Sequence, residues 1–179
     1  MIDYAELQVT SNFSFLRGAS HPYELIGQAA ALGYRAIALT DRNTLAGIVR
    51  AHSEIKDQKY KLRLIIGARL DLTDGPSLLC LPTDLAAYSR LTTLLTIGKR
   101  RAPKGQCHLA KADVLAHGDG QIIIVVPPDK PGEIFAADLA KFGEAFTRRC
   151  YLAANHLYRG DDAARLAHLA DLARASRAP

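Results

Sequence analysis

Short apolar runs recur along this chain, each too brief for a helix and each followed by an amphipathic segment. Ala36 to Thr40 (AIALT), Leu62 to Ile66 and Gln121 to Val126 (QIIIVV) show little polar alternation. An uninterrupted run of this length is the signature of a strand covered on both faces. Ahead of the first, Leu25, Ile26, Ala29 and Leu32 recur at helical spacing. Ser20 or His21 can cap that helix, Pro22 suits its first turn, and Gly33 ends it. A second helix is expected from Asn43 to about Gln58, with Leu45, Ile48, Val49, His52 and Ile55 on one face. Such strand–helix units imply a mainly parallel sheet or barrel with helices outside.

The same logic continues along the chain. Leu7 to Thr10 is a candidate first strand, and ARLDLTDGPSLLCLP reads as two strands joined by a Thr-Asp-Gly-Pro turn. A helix from Thr83 passes Leu91, Leu94 and Leu95 and is expected to stop at Gly98. A basic loop follows, then a short helix from Lys111 to His117 backed by Gly118. Pro127 and Pro128 end the Gln121–Val126 strand. A helix from about Gly132 to Phe142, a strand within Arg148 to Ala154 and a helix from Asp161 to Ser176 complete the pattern. Roughly seven strands favour a small α/β barrel over a doubly wound sheet. The last helix runs out at ASRAP with no closing strand, so a longer parent chain is expected.

A length of 179 residues suits one domain with a full core. No apolar run approaches the ~18–20 residues that span a bilayer. MIDYAELQV lacks the features of a signal peptide, so a cytoplasmic address and no membrane partner are expected. Cys80, Cys107 and Cys150 are odd in number and form no CxxC pair, which argues against a disulfide framework and a structural zinc site. The net charge of +5 is local: without Lys99, Arg100, Arg101 and Lys104, 19 basic residues face 18 acidic ones. That segment can contact nucleic-acid phosphates, remain a solvated loop, or dock on another domain.

In parallel barrels chemistry sits at the C-terminal ends of the strands. That rule selects Gln8, Thr10, Asp41, Arg42, Gly67, Arg69, Asn155 and His156. Asp41 directly follows AIALT. It can serve as a metal ligand or proton carrier, or as a structural carboxylate that caps the next helix or pairs with Arg42. There is no HExxH, GxSxG or P-loop pattern. His52 and His168 lie on predicted helices and read as packing or surface residues, and Tyr4, Phe13 and Phe15 as core or domain-contact residues.

Four stretches together resemble the polymerase and histidinol phosphatase (PHP) domain: LQVTSNFSFLRGAS, AIALTDRNTLAGIVR, IIGARLDL and PSLLCLPTDLAAYSRLTTL. The resemblance covers nearly the whole chain and is closest to the N-terminus of bacterial C-family DNA polymerases, relatives of the DNA polymerase III alpha subunit. GKRRAPKGQCHL and CYLAANHLYRGDDAARL are similar to the error-prone, damage-induced branch. The resemblance implies a PHP-type, distorted β/α barrel of about seven strands, with residues 1–179 an N-terminal fragment of a longer polymerase.

Active members of that family bind divalent metals and hydrolyse phosphoesters. By the resemblance, the His-x-His motif falls on Gln8 and Thr10, the Asp-His motif on Asp41 and Arg42, and the Glu after Ile-Gly on Arg69. A later His falls on Ser77, and His156 lies near the sixth-strand position. Glutamine and threonine are poor ligands for zinc or manganese, and a guanidinium repels a cation. The resemblance therefore implies a vestigial metal cleft in which arginine–carboxylate pairing stands in for metal. It implies no cofactor in this fragment, a divalent metal in the parent polymerase site, and no catalysis by these residues. Implied partners are DNA, the downstream polymerase domains, and the sliding clamp or accessory damage-bypass proteins. The competing expectation is a metal-dependent phosphoesterase or 3'-5' exonuclease.

Overall fold

The computed structural model describes residues 3–178. They form two compact units, Met1–Arg69 and Leu70–Pro179.

The first unit is built from β1 (Ala5–Val9), α1 (Pro22–Ala31), β2 (Ala36–Leu39), α2 (Ile48–Gln58) and β3 (Arg63–Ile66). Its strands pair in parallel in the order β1-β2-β3. Every residue of β2 is buried, as expected of a central strand covered on both faces. Ile37 and Leu39 pack with Ile26 and Ala29 of α1 and with Ile48 and Ala51 of α2.

Local chemistry sets the ends of α1. Pro22 occupies its first turn and the His21 amide donates to Glu24 Oε2 at 2.7 Å. At the far end Gly33 adopts φ +72°, and the Gly33 and Tyr34 amides donate to the carbonyls of Ala30 and Ala29. This Schellman closure favours glycine because its geometry is left-handed. The helix expected from Asn43 begins at Ile48 instead. Asn43 sits at φ +51° with its amide donating to the Arg69 carbonyl, and residues 43–47 stay outside the helix. Val49 and His52 are exposed, and Ile48, Ala51 and Ile55 carry the inner face of α2.

The second unit carries β4 (Ala68–Leu70, which straddles the division), β5 (Ser77–Pro82), α3 (Leu85–Arg101), α4 (Lys111–His117), β6 (Gln121–Val126), α5 (Glu133–Ala145), β7 (Cys150–Leu152) and α6 (Asp162–Ala175). The sheet order is β4-β5-β6-β7. β6 and β7 are parallel, whereas β5 and β6 are antiparallel over six registered pairs, Ser77 with Val126 through Pro82 with Gln121. The expectation of about seven strands holds among the described residues, and the antiparallel β5–β6 pairing interrupts the parallel pattern.

α3 runs past Gly98 rather than stopping there. The glycine serves packing: a Cβ at this position would lie 2.6 Å from Cys107 Sγ and 2.7 Å from Leu109. The expected basic loop is thus in part helical, with Lys99, Arg100 and Arg101 forming the last turn of α3. There they complement the negative end of the helix dipole.

Of the aromatics read as core or contact residues, Tyr4 is half exposed and meets the Tyr34 ring edge-on at 4.8 Å. Phe13 is partly buried beneath Arg50, whereas Phe15 is 83% exposed and is no core residue. His52 and His168 are surface residues. No described helix is long and apolar enough to cross a membrane.

A candidate site around Asp41

Asp41 lies two residues beyond the end of β2 and is 2% exposed. A carboxylate so deeply placed must find donors, and it finds them in the loop that leaves β1. The Ser11 amide donates to Oδ1 at 2.8 Å, Ser11 Oγ to Oδ2 at 2.7 Å, and Ser14 Oγ to Oδ1 at 2.6 Å. Each hydroxyl is itself fixed by a backbone donor: Phe13 N–H reaches Ser11 Oγ at 3.2 Å and Arg42 N–H reaches Ser14 Oγ at 2.9 Å. Gly47 closes the other side, where a Cβ would stand 3.2 Å from Oδ2. The carboxylate therefore anchors the 11–20 loop. The sequence reading allowed it a structural role through helix capping or pairing with Arg42; the donors are two serines.

Gln8 and Thr10 lie where β1 departs from regular pairing. The register with β2 shifts between Glu6 and Val9, and the Gln8 amide is drawn onto Glu6 Oε1 at 3.0 Å. Such irregularities re-aim side chains at strand ends. The backbone brings the two arginine positions together at the same end of the sheet. Arg42 and Arg69 form an isolated parallel bridge, with the Arg69 amide donating to the Asp41 carbonyl at 3.0 Å. Gly67, one of the strand-end positions, is buried just after β3. The first unit thus gathers Gln8, Thr10, Asp41, Arg42 and Arg69 about the ends of three parallel strands.

Ser77 and His156 belong to the second unit. Ser77 begins β5 and donates to Asp71 Oδ1 at 2.6 Å. Asn155 and His156 lie on the exposed segment after β7. The His156 ring is tilted against Tyr158 at 4.5 Å, and its Nδ1 lies 3.7 Å from Asp162 Oδ2. Asp162 takes the amides of Leu157 at 2.6 Å and Arg159 at 2.9 Å. The Leu157 hydrogen bond, foremost, holds its carboxyl below the usual range.

The donor set of the first unit does not fit a divalent metal. It comprises an amide, a hydroxyl, two guanidiniums and one carboxylate already gripped by serines. Among the described residues, no three His, Cys, Asp or Glu side chains are grouped to hold an ion. Burial pushes the Cys80 thiol up to about 12 and the Cys150 thiol up to about 11, and it also raises that of the partly buried Cys107.

In the basic segment, Arg101 forms a two-pronged pair with Asp113, its Nη1 and Nη2 at 2.7 and 3.0 Å from Oδ2 and Oδ1. That hydrogen bonding is the chief cause holding the Asp113 carboxyl below its ordinary range, and the Ala110 amide adds to it. Lys99 and Arg100, in the last turn of α3, and Lys104, just beyond it, are exposed.

The sequence reading missed Ser11 and Ser14 as the partners of Asp41. The available signal was their spacing, two hydroxyls three residues apart in the turn after β1, ahead of a buried carboxylate position.

This α/β architecture has known counterparts. It is shared with a candidate metal-dependent phosphoesterase from Bifidobacterium adolescentis, at a TM-score of 0.72 and 14% identity over 97% of this chain and 84% of that one. It is also shared with an amidohydrolase from Chromobacterium violaceum solved with bound sulfate and no metal, at a TM-score of 0.63 and 16% identity over 93% of this chain and 82% of that one. At such identities the likeness defines the fold alone. Residues 6–165 match the family model of the PHP domain, and the chain belongs to that family. It is 51% identical over 98% of its length to an error-prone DNA polymerase of Caulobacter vibrioides, and 47% over 98% to one of Rhodopseudomonas palustris. The identity to error-prone DNA polymerase 2 of Agrobacterium fabrum is 51% over 96%. The chain spans 16% of the length of each of these relatives.

Proposed function

We propose that this chain is the PHP domain of a bacterial error-prone DNA polymerase acting in the cytoplasm, in damage-induced translesion synthesis and DNA repair. The observation that carries the reading is 51% identity to the Caulobacter vibrioides enzyme across 98% of this chain. Nucleotide transfer, with its divalent metal, belongs to the part of the parent polypeptide outside these residues. The domain itself is architectural. It holds the polymerase domains, offers a surface to DNA through Lys99, Arg100 and Lys104, and serves as a docking site for the sliding clamp or accessory bypass proteins. Gln8, Thr10, Asp41, Arg42 and Arg69 are the vestige of a metal cleft in the first unit, and Ser77 and His156 stand at the corresponding ligand positions of the second. The serine-bound state of Asp41 supports this and weighs against the phosphoesterase or exonuclease alternative.

The test is an assay of the purified chain with manganese on a phosphomonoester and on a 3'-ended oligonucleotide, alongside elemental analysis. Neither turnover above blank nor a retained equivalent of zinc or manganese is expected. Manganese-dependent hydrolysis abolished by Asp41→Ala would overturn the reading. Primer extension across a damaged template by the full gene product tests the polymerase assignment separately.

A further inference from the structure

We infer that the tip of the β1–α1 loop is a docking knob whose Phe15 and Leu16 insert into an apolar recess elsewhere on the same, longer polypeptide; this rests on the polymerase reading above. The two neighbouring side chains are 83% and 87% exposed. Scattered exposed apolar residues are ordinary on protein surfaces. This pair differs because the loop presenting it is held on every side. Its ends are tied by the Asn12 amide donating to the Ser20 carbonyl at 2.9 Å. Its rising limb is fastened by Ser11 and Ser14 to the buried Asp41 carboxylate. Its apex is wound tight, with the Arg17 and Gly18 amides both donating to the Ser14 carbonyl at 2.9 and 3.1 Å. Gly18 passes so close to the Ser11 carbonyl that a Cβ would lie 2.3 Å from the oxygen.

Leu16 itself takes φ +61°, the left-handed region that a leucine rarely enters. Exposure and backbone strain thus coincide at one residue, and surrounding structure fixes both. With its backbone already fixed, such a pair gives up only side-chain freedom when it enters a pocket, which favours its use as a binding anchor.

The length of the relatives identifies the occupant. Proteins half identical to this chain carry it as 16% of their length, so the same polypeptide supplies a large covering surface at high effective concentration. Arg17 on the loop and Arg50, whose guanidinium lies 5.4 Å over the Phe13 ring, set positive charge around the knob. The receiving recess is therefore apolar and rimmed by carboxylates.

The experiment uses the full-length gene product with a photoreactive benzophenone analogue of phenylalanine at position 15, and primer extension is measured on the same preparation. Irradiation is expected to give an intramolecular cross-link, mapped by mass spectrometry to a peptide outside residues 1–179. Adding Leu16→Ser should reduce its yield several-fold. Cross-links confined to a second copy, or absent while primer extension is intact, would overturn the inference and leave the polymerase reading standing. A gene product with neither primer extension nor chain outside these residues removes both.

Discussion

At the scale of single residues, Asp41 is a buried carboxylate that takes its donors from the loop after β1. Its three serine-derived donors come from 27 and 30 residues away in sequence. That distance is why the sequence disclosed a buried carboxylate and not its partners: strand periodicity places Asp41, whereas the serines become neighbours only once β1 pairs with β2. If the carboxylate anchors the loop, Asp41→Ala strands a buried amide and two hydroxyls. At ~1–3 kcal/mol for an unsatisfied buried group, partly relieved as the hydroxyls rotate, the loss should be about 3 kcal/mol. Ser14→Ala removes one donor and should cost about 1 kcal/mol. Denaturant unfolding of both variants measures this. An Asp41→Ala chain as stable as the parent, or more stable, would mean that Asp41 is kept for chemistry at the expense of stability.

At the scale of elements, most boundaries were readable because local chemistry writes them. Pro22 with Glu24 starts α1, Gly33 ends it, and Pro127 closes β6. The misreadings came where a residue obeys a distant neighbour. Gly98 looked like a helix stop, yet it is a buried interior position of α3 kept bare so that Cys107 and Leu109 can approach. Asn43 looked like a helix start, yet its amide is claimed by the Arg69 carbonyl. Gly98 allows a decisive test, because propensity and packing predict opposite signs. In an exposed helix interior, Gly→Ala gains up to ~1 kcal/mol. Here the new methyl would meet sulfur and carbon at 2.6–2.7 Å, and overpacking costs ~1–3 kcal/mol. Gly98→Ala should therefore lower the thermal midpoint; a rise would show that the 107–109 segment yields freely.

At the scale of the whole molecule, the α/β class was legible from alternating buried runs, but strand direction was not. An apolar run such as QIIIVV suits a strand whether its neighbour is parallel or antiparallel, so the β5–β6 pairing had no local signature. Charge is the other whole-molecule property, and here the fold refines what composition suggested. The surplus of +5 rests on four residues, and the structure commits one of them, Arg101, to Asp113. Three exposed cations, Lys99, Arg100 and Lys104, remain to meet phosphate. Each phosphate neutralised on duplex DNA contributes ~0.9 to the slope of log affinity against log salt, and ~0.7 on a single strand. A Lys99→Ala, Arg100→Ala, Lys104→Ala chain should thus bind more weakly, with a slope shallower by about 2–3 according to strandedness. Arg101→Ala should leave that slope nearly unchanged and act instead on the α3–α4 connection, lowering the thermal midpoint. Fluorescence-anisotropy titrations across a salt series separate the two. Equal slopes for the parent and the triple variant would mean that these side chains form a solvated surface and that any DNA affinity lies elsewhere on the molecule.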